Sequence, residues 1–149
     1  MSTQIVLPNG FGYVPTSLVS LGWLLTWQTF LVGRARKRAG IAYPQLYAEQ
    51  AQVKASPEAL QFNCTQRAHQ NTLENAPLVT LSTLIFGLIC PHAAAIMCGS
   101  FVVGRIIYTL GYKSGDPARR IPGAAISTLS VMGLMGSASY AAYLLFPSA

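Results

Sequence analysis

QFNCTQRAHQNTLENAPLVTLSTLIFGLIC, residues 61–90, is the stretch whose reading decides the fold. Its plainly apolar part, Ala76 to Cys90, is too short to cross a bilayer alone, because a spanning helix needs roughly 20 apolar residues. The preceding stretch, Phe62 to Asn75, contains no breaker, and its polar residues recur at helical spacing. The two parts therefore read as one helix from about Gln61 to Cys90, whose first turns project from the membrane. Pro77 is expected to bend this helix without ending it, since neighbouring groups can satisfy the freed backbone.

Outward from this stretch the chain repeats the pattern. A first span covers about Gly12 to Gly33 without a charge and stops at Arg34, Arg36, Lys37 and Arg38. A loop from Ala39 to about Leu60 carries Pro44, Pro57 and both signs of charge. After a tight Pro91-His92 turn, a third span runs from about Ala93 to Tyr112. A short polar loop, Lys113 to Arg120, leads to a fourth span, about Pro122 to Phe146, rich in Gly, Ala and Ser. Such small residues let helices approach closely, within one subunit as readily as between subunits. The expected fold is an all-α integral membrane four-helix bundle, one transmembrane domain over residues 1–149.

Composition agrees. Only 9% of the 149 residues are charged and 52% are hydrophobic, against roughly 25% charged in an average soluble domain. A net charge of +6 would by itself point to nucleic acid. Here the basic residues sit between apolar runs, so membrane lipid is the expected partner and nucleic acid is not. The first apolar run is not expected to be a cleavable signal, being too long and lacking a basic region before it. Cys64, Cys90 and Cys98 lack metal-ligand spacing and read as small packing residues, with no metal expected.

Eight of the ten Lys and Arg residues lie in the loops after the first and third spans; only Arg67 and Arg105 lie within spans. The positive-inside rule therefore places both loops in the cytoplasm and both termini on the far side.

Within the spans, Arg67, Asn71 and Glu74 stand at i, i+4 and i+7, one helix face. Arg105, Tyr108 and Tyr112 stand at i, i+3 and i+7 on the third helix. At 1.5 Å per residue, Glu74 lies about 24 Å from Cys90, and Arg105 and Tyr108 about 18 and 22 Å from Ala93. The two stripes are expected to meet in the cytoplasmic half of the bilayer. Burying Arg and Glu there is costly unless they are paired or wet, so a functional role is the default. The plainer alternative is an Arg105–Glu74 pair that only locks two helices together. Together the stripes read as a cationic, donor-rich pocket for a small anion bearing carboxylates. His69 lies off the Arg67 face and reads as a supporting partner or an interfacial polar residue. Asn63-Cys64-Thr65 matches a glycosylation sequon but falls on the cytoplasmic side, where it is expected to stay empty. His92 reads as a loop histidine, and Trp23, Trp27, Tyr140 and Tyr143 as lipid or packing residues.

The run from Phe62 to Glu74 resembles the second-helix signature of the microsomal glutathione transferases, the MAPEG family. Gly104-Arg105-Ile106-Ile107-Tyr108, Gly111-Tyr112 and Gly115-Asp116-Pro117 are similar to the third helix and following loop of its type 3 branch. Ala35-Arg36-Lys37-Arg38 with Tyr43-Pro44 resembles the first cytoplasmic loop. The resemblance implies a homotrimer in the endoplasmic reticulum membrane, with glutathione as co-substrate between neighbouring subunits near the cytosolic face. It implies glutathione contacts at Arg36, Arg67, His69, Asn71, Glu74, Tyr108 and Tyr112. It also implies a thiolate-stabilising catalytic arginine just before the fourth helix. Loop length leaves Arg119 and Arg120 as the candidates, and Arg120-Ile121-Pro122-Gly123 follows the family pattern better. His69 and Asn75 depart from the Gln and Tyr of the cysteinyl-leukotriene synthase branch, which puts that branch's substrate in doubt.

The implied chemistry is conjugation of glutathione to a lipophilic electrophile, with glutathione-dependent reduction of a lipid hydroperoxide as a second activity. A free thiol has a pKa of about 8.5, and a permanently charged guanidinium beside it favours the thiolate. Two other classes stay open: a non-enzymatic lipid-presenting protein of the same fold, and a small transporter or proton relay using Glu74 and Arg105. The first would not require the Arg67, Asn71 and Glu74 set together with Arg119 and Arg120.

Overall fold

The computed structural model describes residues 6–145. It is an all-helical bundle of four long helices and one short one: α1 (Tyr13–Ala39), α2 (Gln50–Ala55), α3 (Pro57–Gly87), α4 (Pro91–Tyr112) and α5 (Ile121–Leu144). A 3-10 turn, Pro117–Arg120, leads into α5. The expected end of the fourth span, Phe146, lies outside the described residues.

Helix boundaries differ from the expected spans for local reasons. The first helix does not stop at the basic run but continues through it to Ala39. Cations suit a helix C-terminus, where the unsatisfied carbonyls carry partial negative charge. The actual stop is Gly40, whose left-handed conformation (φ 65°) lets its N–H reach back to the Arg36 and Lys37 carbonyls. The expected loop 39–60 contains α2, opened by a reciprocal capping box between Glu49 and Gln52. The long third helix starts at Pro57, before Gln61, because Ser56 caps it and Pro57 occupies its first turn. It runs unbroken through Pro77 and ends at Gly87, short of Cys90. Pro91 begins α4 rather than preceding it in a turn.

At 27 and 31 residues α1 and α3 are long enough to cross a bilayer, but their polar residues dilute them. The segments Pro91–Tyr112 and Pro117–Leu144 are both long and apolar enough over 18 residues. The outer surface is apolar as well: Trp23, Ile96, Leu129 and Met132 are each exposed by about two thirds of their surface. A water-soluble chain this small rarely exposes so much apolar area. The chain is a membrane helical bundle.

Leu21, Leu24, Val79, Cys98, Phe101, Val102 and Leu134 form the central core. Contact between α4 and α5 is the most extensive, and glycine makes it possible. A Cβ on Gly123 would overlap the Tyr108 backbone, and one on Gly104 would stand 2.8 Å from the Ser127 nitrogen. Of the cysteines, Cys64 and Cys98 are buried in packing, whereas Cys90 is exposed in the turn before α4. That exposure corrects the packing role expected for Cys90. His92, expected in a loop, lies in the first turn of α4 and stacks on Tyr13 with ring centroids 5.1 Å apart.

The ends of α1 and α4 lie together, since Arg34 and Arg38 line one cleft with Lys113 and Ser114. The two basic segments thus share one end of the bundle, and Cys90 marks the other. If that basic end is cytosolic, single cysteines at Lys54 and Ser114, in a Cys90→Ser background, react with an impermeant reagent from the cytosolic side only. Cys90 in the parent reacts from the opposite side only. Labelling from the reverse sides would invert the topology.

Candidate functional site

The two expected stripes meet only at Asn71, which lines one crevice with Arg105; the charged members of the first stripe turn outward. Arg67, Asn71 and Glu74 lie on the outward side of α3, with the Arg67 and Glu74 side chains 47% and 44% exposed. Arg67 pairs with Glu74 on its own helix at 3.2 Å, and Asn71 Nδ2 donates to Glu74 at 3.4 Å. Arg105, Tyr108 and Tyr112 instead point inward, where Tyr108 and Tyr112 pack on Cys64, Ala68 and Ala124. The physical reason is spacing: Ala68 and Thr72 are small, one turn apart and buried, so α4 seats against them and turns the charged face of α3 outward. An Arg105–Glu74 lock does not form among the described residues.

Arg105 has other partners. Its Nε donates to Thr72 Oγ1 at 2.9 Å, one terminal nitrogen donates to the Ala68 carbonyl at 3.2 Å, and its guanidinium lies 4.0 Å from the Tyr108 ring centroid. Among the described residues it forms no ion pair. It shares a small crevice of about 40 Å³ with Asn71 and Asn75, so Asn71 is the side chain that links the outer face to the interior.

Around Arg105 runs a buried polar chain that sequence reading missed. The Gln28 amide donates to Thr72 Oγ1 at 2.9 Å and to Thr109 Oγ1 at 2.7 Å, joining α1, α3 and α4. Thr72 and Thr109 in turn donate to the carbonyls of Ala68 and Arg105. His69 closes the chain, with its ring nitrogens 3.4 Å from Gln28 Oε1 and Thr29 Oγ1. It therefore faces α1, away from Arg67. The missed signal was available: Gln28 is the one amide side chain in an uncharged apolar run. Such a residue needs partners within the bundle.

Arg36, which the resemblance implies as a glutathione contact, sits inside the first basic loop in the single chain. It is buried, with its guanidinium between the Tyr43 and Phe62 rings and a 2.6 Å hydrogen bond to the Gln45 carbonyl. It organises the first basic loop. Asn63 secures the same loop by exchanging two hydrogen bonds with the Ala48 backbone. That leaves its amide engaged, whichever side of the membrane the sequon occupies.

At the start of α5 the two neighbouring arginines are distinct. Arg119 is ion-paired with Asp116 at 3.4 Å, its side chain 69% exposed. Arg120 is half-buried and lies over the Tyr112 ring, 4.8 Å from its centroid. Tyr112 meets Tyr108 edge to face at 5.6 Å. The Tyr112 phenol sits in the field of both Arg120 and Arg67, and the Cys64 thiol in that of Arg120. Arg120 and the tyrosine pair are thus in contact at the basic end of the bundle, while Arg67 acts on the Tyr112 phenol only through its charge. Among the described residues no group of three His, Cys, Asp or Glu could hold a metal.

The model of the MAPEG family matches residues 14–140, nearly the whole bundle. By that match the chain belongs to the MAPEG family of membrane proteins, which includes glutathione transferases and related enzymes.

Proposed function

We propose that the chain is a membrane-bound glutathione transferase of the type 3 kind, which conjugates glutathione to lipophilic electrophiles and also reduces lipid hydroperoxides. The observation that carries this reading is Arg120 lying over the Tyr112 ring at the basic end of the bundle, in a chain whose α3 presents Arg67, Asn71 and Glu74 together. Glutathione offers two carboxylates, an ammonium group and a thiol. Arg67 is suited to a carboxylate, Glu74 to the ammonium, and Arg120 to the sulfur, where a fixed positive charge favours the thiolate. The thiolate then attacks an electrophilic carbon, and no protein nucleophile takes part.

Because Arg67 and Glu74 lie on an outward face, the tripeptide has only one wall in a single chain. A neighbouring copy would supply the other, which is why a homotrimer belongs to the proposal. The natural setting is the endoplasmic reticulum membrane, with the basic end in the cytosol where glutathione is available.

Two measurements test the reading. Adding glutathione to the detergent-purified protein should produce a thiolate absorbance difference at neutral pH; no such band would remove the chemistry. Arg67→Ala and Glu74→Ala should each weaken glutathione binding about ten- to hundredfold, the equivalent of a charge-assisted contact of roughly 1.5–3 kcal/mol. Their mutual pair is exposed, and such pairs contribute about 0–1 kcal/mol to stability, so folding should change little. If both variants assemble normally and bind like the parent, this face is not the glutathione site.

A further inference from the structure

On the other side of α3 from Arg67, a second polar cleft of about 280 Å³ opens at the basic end of the bundle. Leu31, Arg34 and Arg38 stand at i, i+3 and i+7 on one face of α1, and Lys113 faces them from the end of α4. Glu58 and Gln61, in the first turns of α3, complete the mouth. Three cations against one carboxylate leave a surplus of two positive charges. Glu58 stays ionised, its carboxylate accepting the Ser56 hydroxyl at 2.8 Å, which holds its pKa below the ordinary value, so it offsets only one of the three cations. Among the described residues, Arg34, Arg38 and Lys113 form no ion pair.

We propose that this cleft binds the phosphate of an anionic membrane phospholipid. Basic residues serving only as topology anchors would be distributed around the helix ends. Here those of two helices converge on one cleft, while Lys37 and Lys54 lie outside its lining. Lipid is favoured over free phosphate by the apolar part of the wall. Leu31 and Leu110 line the cleft, and Leu110 is 46% exposed on the outer surface of α4. A headgroup can therefore sit among the cations while its acyl chains run down the apolar outside of the bundle. Basic pockets of this kind between membrane helices are suited to anionic headgroups, with roughly 1 kcal/mol per Lys or Arg. The inference uses only the membrane fold and does not depend on the glutathione reading.

The test is native mass spectrometry of the full chain in detergent, titrated with phosphatidylserine, phosphatidylcholine or soluble glycerol 3-phosphate. Phosphatidylserine should remain bound at voltages that strip phosphatidylcholine. Arg34→Gln/Arg38→Gln should weaken its retention about tenfold or more, whereas Lys37→Gln/Lys54→Gln, which removes the same charge outside the cleft, should not. Gln61→Glu places a new anion at the exposed mouth and should cause the same loss, which keeps the test decisive should the double arginine variant fail to fold. Equal retention of the two lipids overturns the proposal, as does equal loss in the two double variants. Displacement of phosphatidylserine by an equal concentration of glycerol 3-phosphate would overturn the lipid assignment in favour of a soluble phosphate.

Discussion

On the proposed glutathione chemistry, Arg120→Ala is expected to lower turnover at neutral pH about thirtyfold while changing glutathione affinity only severalfold. The guanidinium beside a bound thiol lowers its pKa, because it favours the charged form. Without it the pKa climbs back toward the ordinary thiol value of about 8.5. A thiol of that pKa is only about 3% ionised at pH 7, roughly thirtyfold less than in a parent that is ionised throughout. The sign is fixed: the variant's activity should rise steeply with pH and approach the parent's only above the restored pKa. Parent activity should stay nearly flat over the same range. Arg119→Ala should show neither effect, because Arg119 is held by Asp116 at the exposed turn while Arg120 lies over Tyr112. Cys64 shares the field of Arg120, so the titration is read as the glutathione-dependent difference. The reverse ranking would transfer the role to Arg119. Small, equal effects in both variants would make both arginines interfacial anchors.

The fold was legible because the sequence carries few competing signals. An unbroken apolar run, basic stops and a proline tolerated in mid-helix specify four long helices. Their ends were harder to read, since capping depends on single residues such as Ser56 and Gly40, whose effects extend over only a turn. Arg67, Asn71 and Glu74 of α3 were legible as a face, but which way that face points was not. Helical spacing says which residues lie together; it does not say whether a neighbouring helix or open surface covers them. That choice was made by the small buried residues Ala68 and Thr72, which look unremarkable in sequence. The surroundings of Arg36 were hidden for a related reason. Its partners, Tyr43, Gln45 and Phe62, come together only once the loop folds back.

The second large effect is expected at Thr72, at the junction of the buried chain. Its hydroxyl donates to the Ala68 carbonyl and accepts from both Arg105 Nε and Gln28 Nε2, each at 2.9 Å. Thr72→Val keeps the shape and removes both acceptor contacts, leaving two donors unmet inside the bundle. An unmet buried donor costs about 1–3 kcal/mol, more when charged. Interhelical bonds between neutral groups in membranes average under about 1 kcal/mol, so the guanidinium dominates and the total should be about 3 kcal/mol. Thr72→Ser retains the hydroxyl and should lose less than about half of that. Gln28→Leu should cost less than Thr72→Val, because Thr72 and Thr109 still donate to their own helices. The double variant Gln28→Leu/Thr72→Val should then cost less than the sum of the two, since the Gln28 donor is no longer there to be left unmet. Unfolding by denaturing detergent measures all four. Thr72→Val as stable as the parent, or strict additivity in the double variant, would mean that Arg105 is satisfied by something other than this chain of side chains.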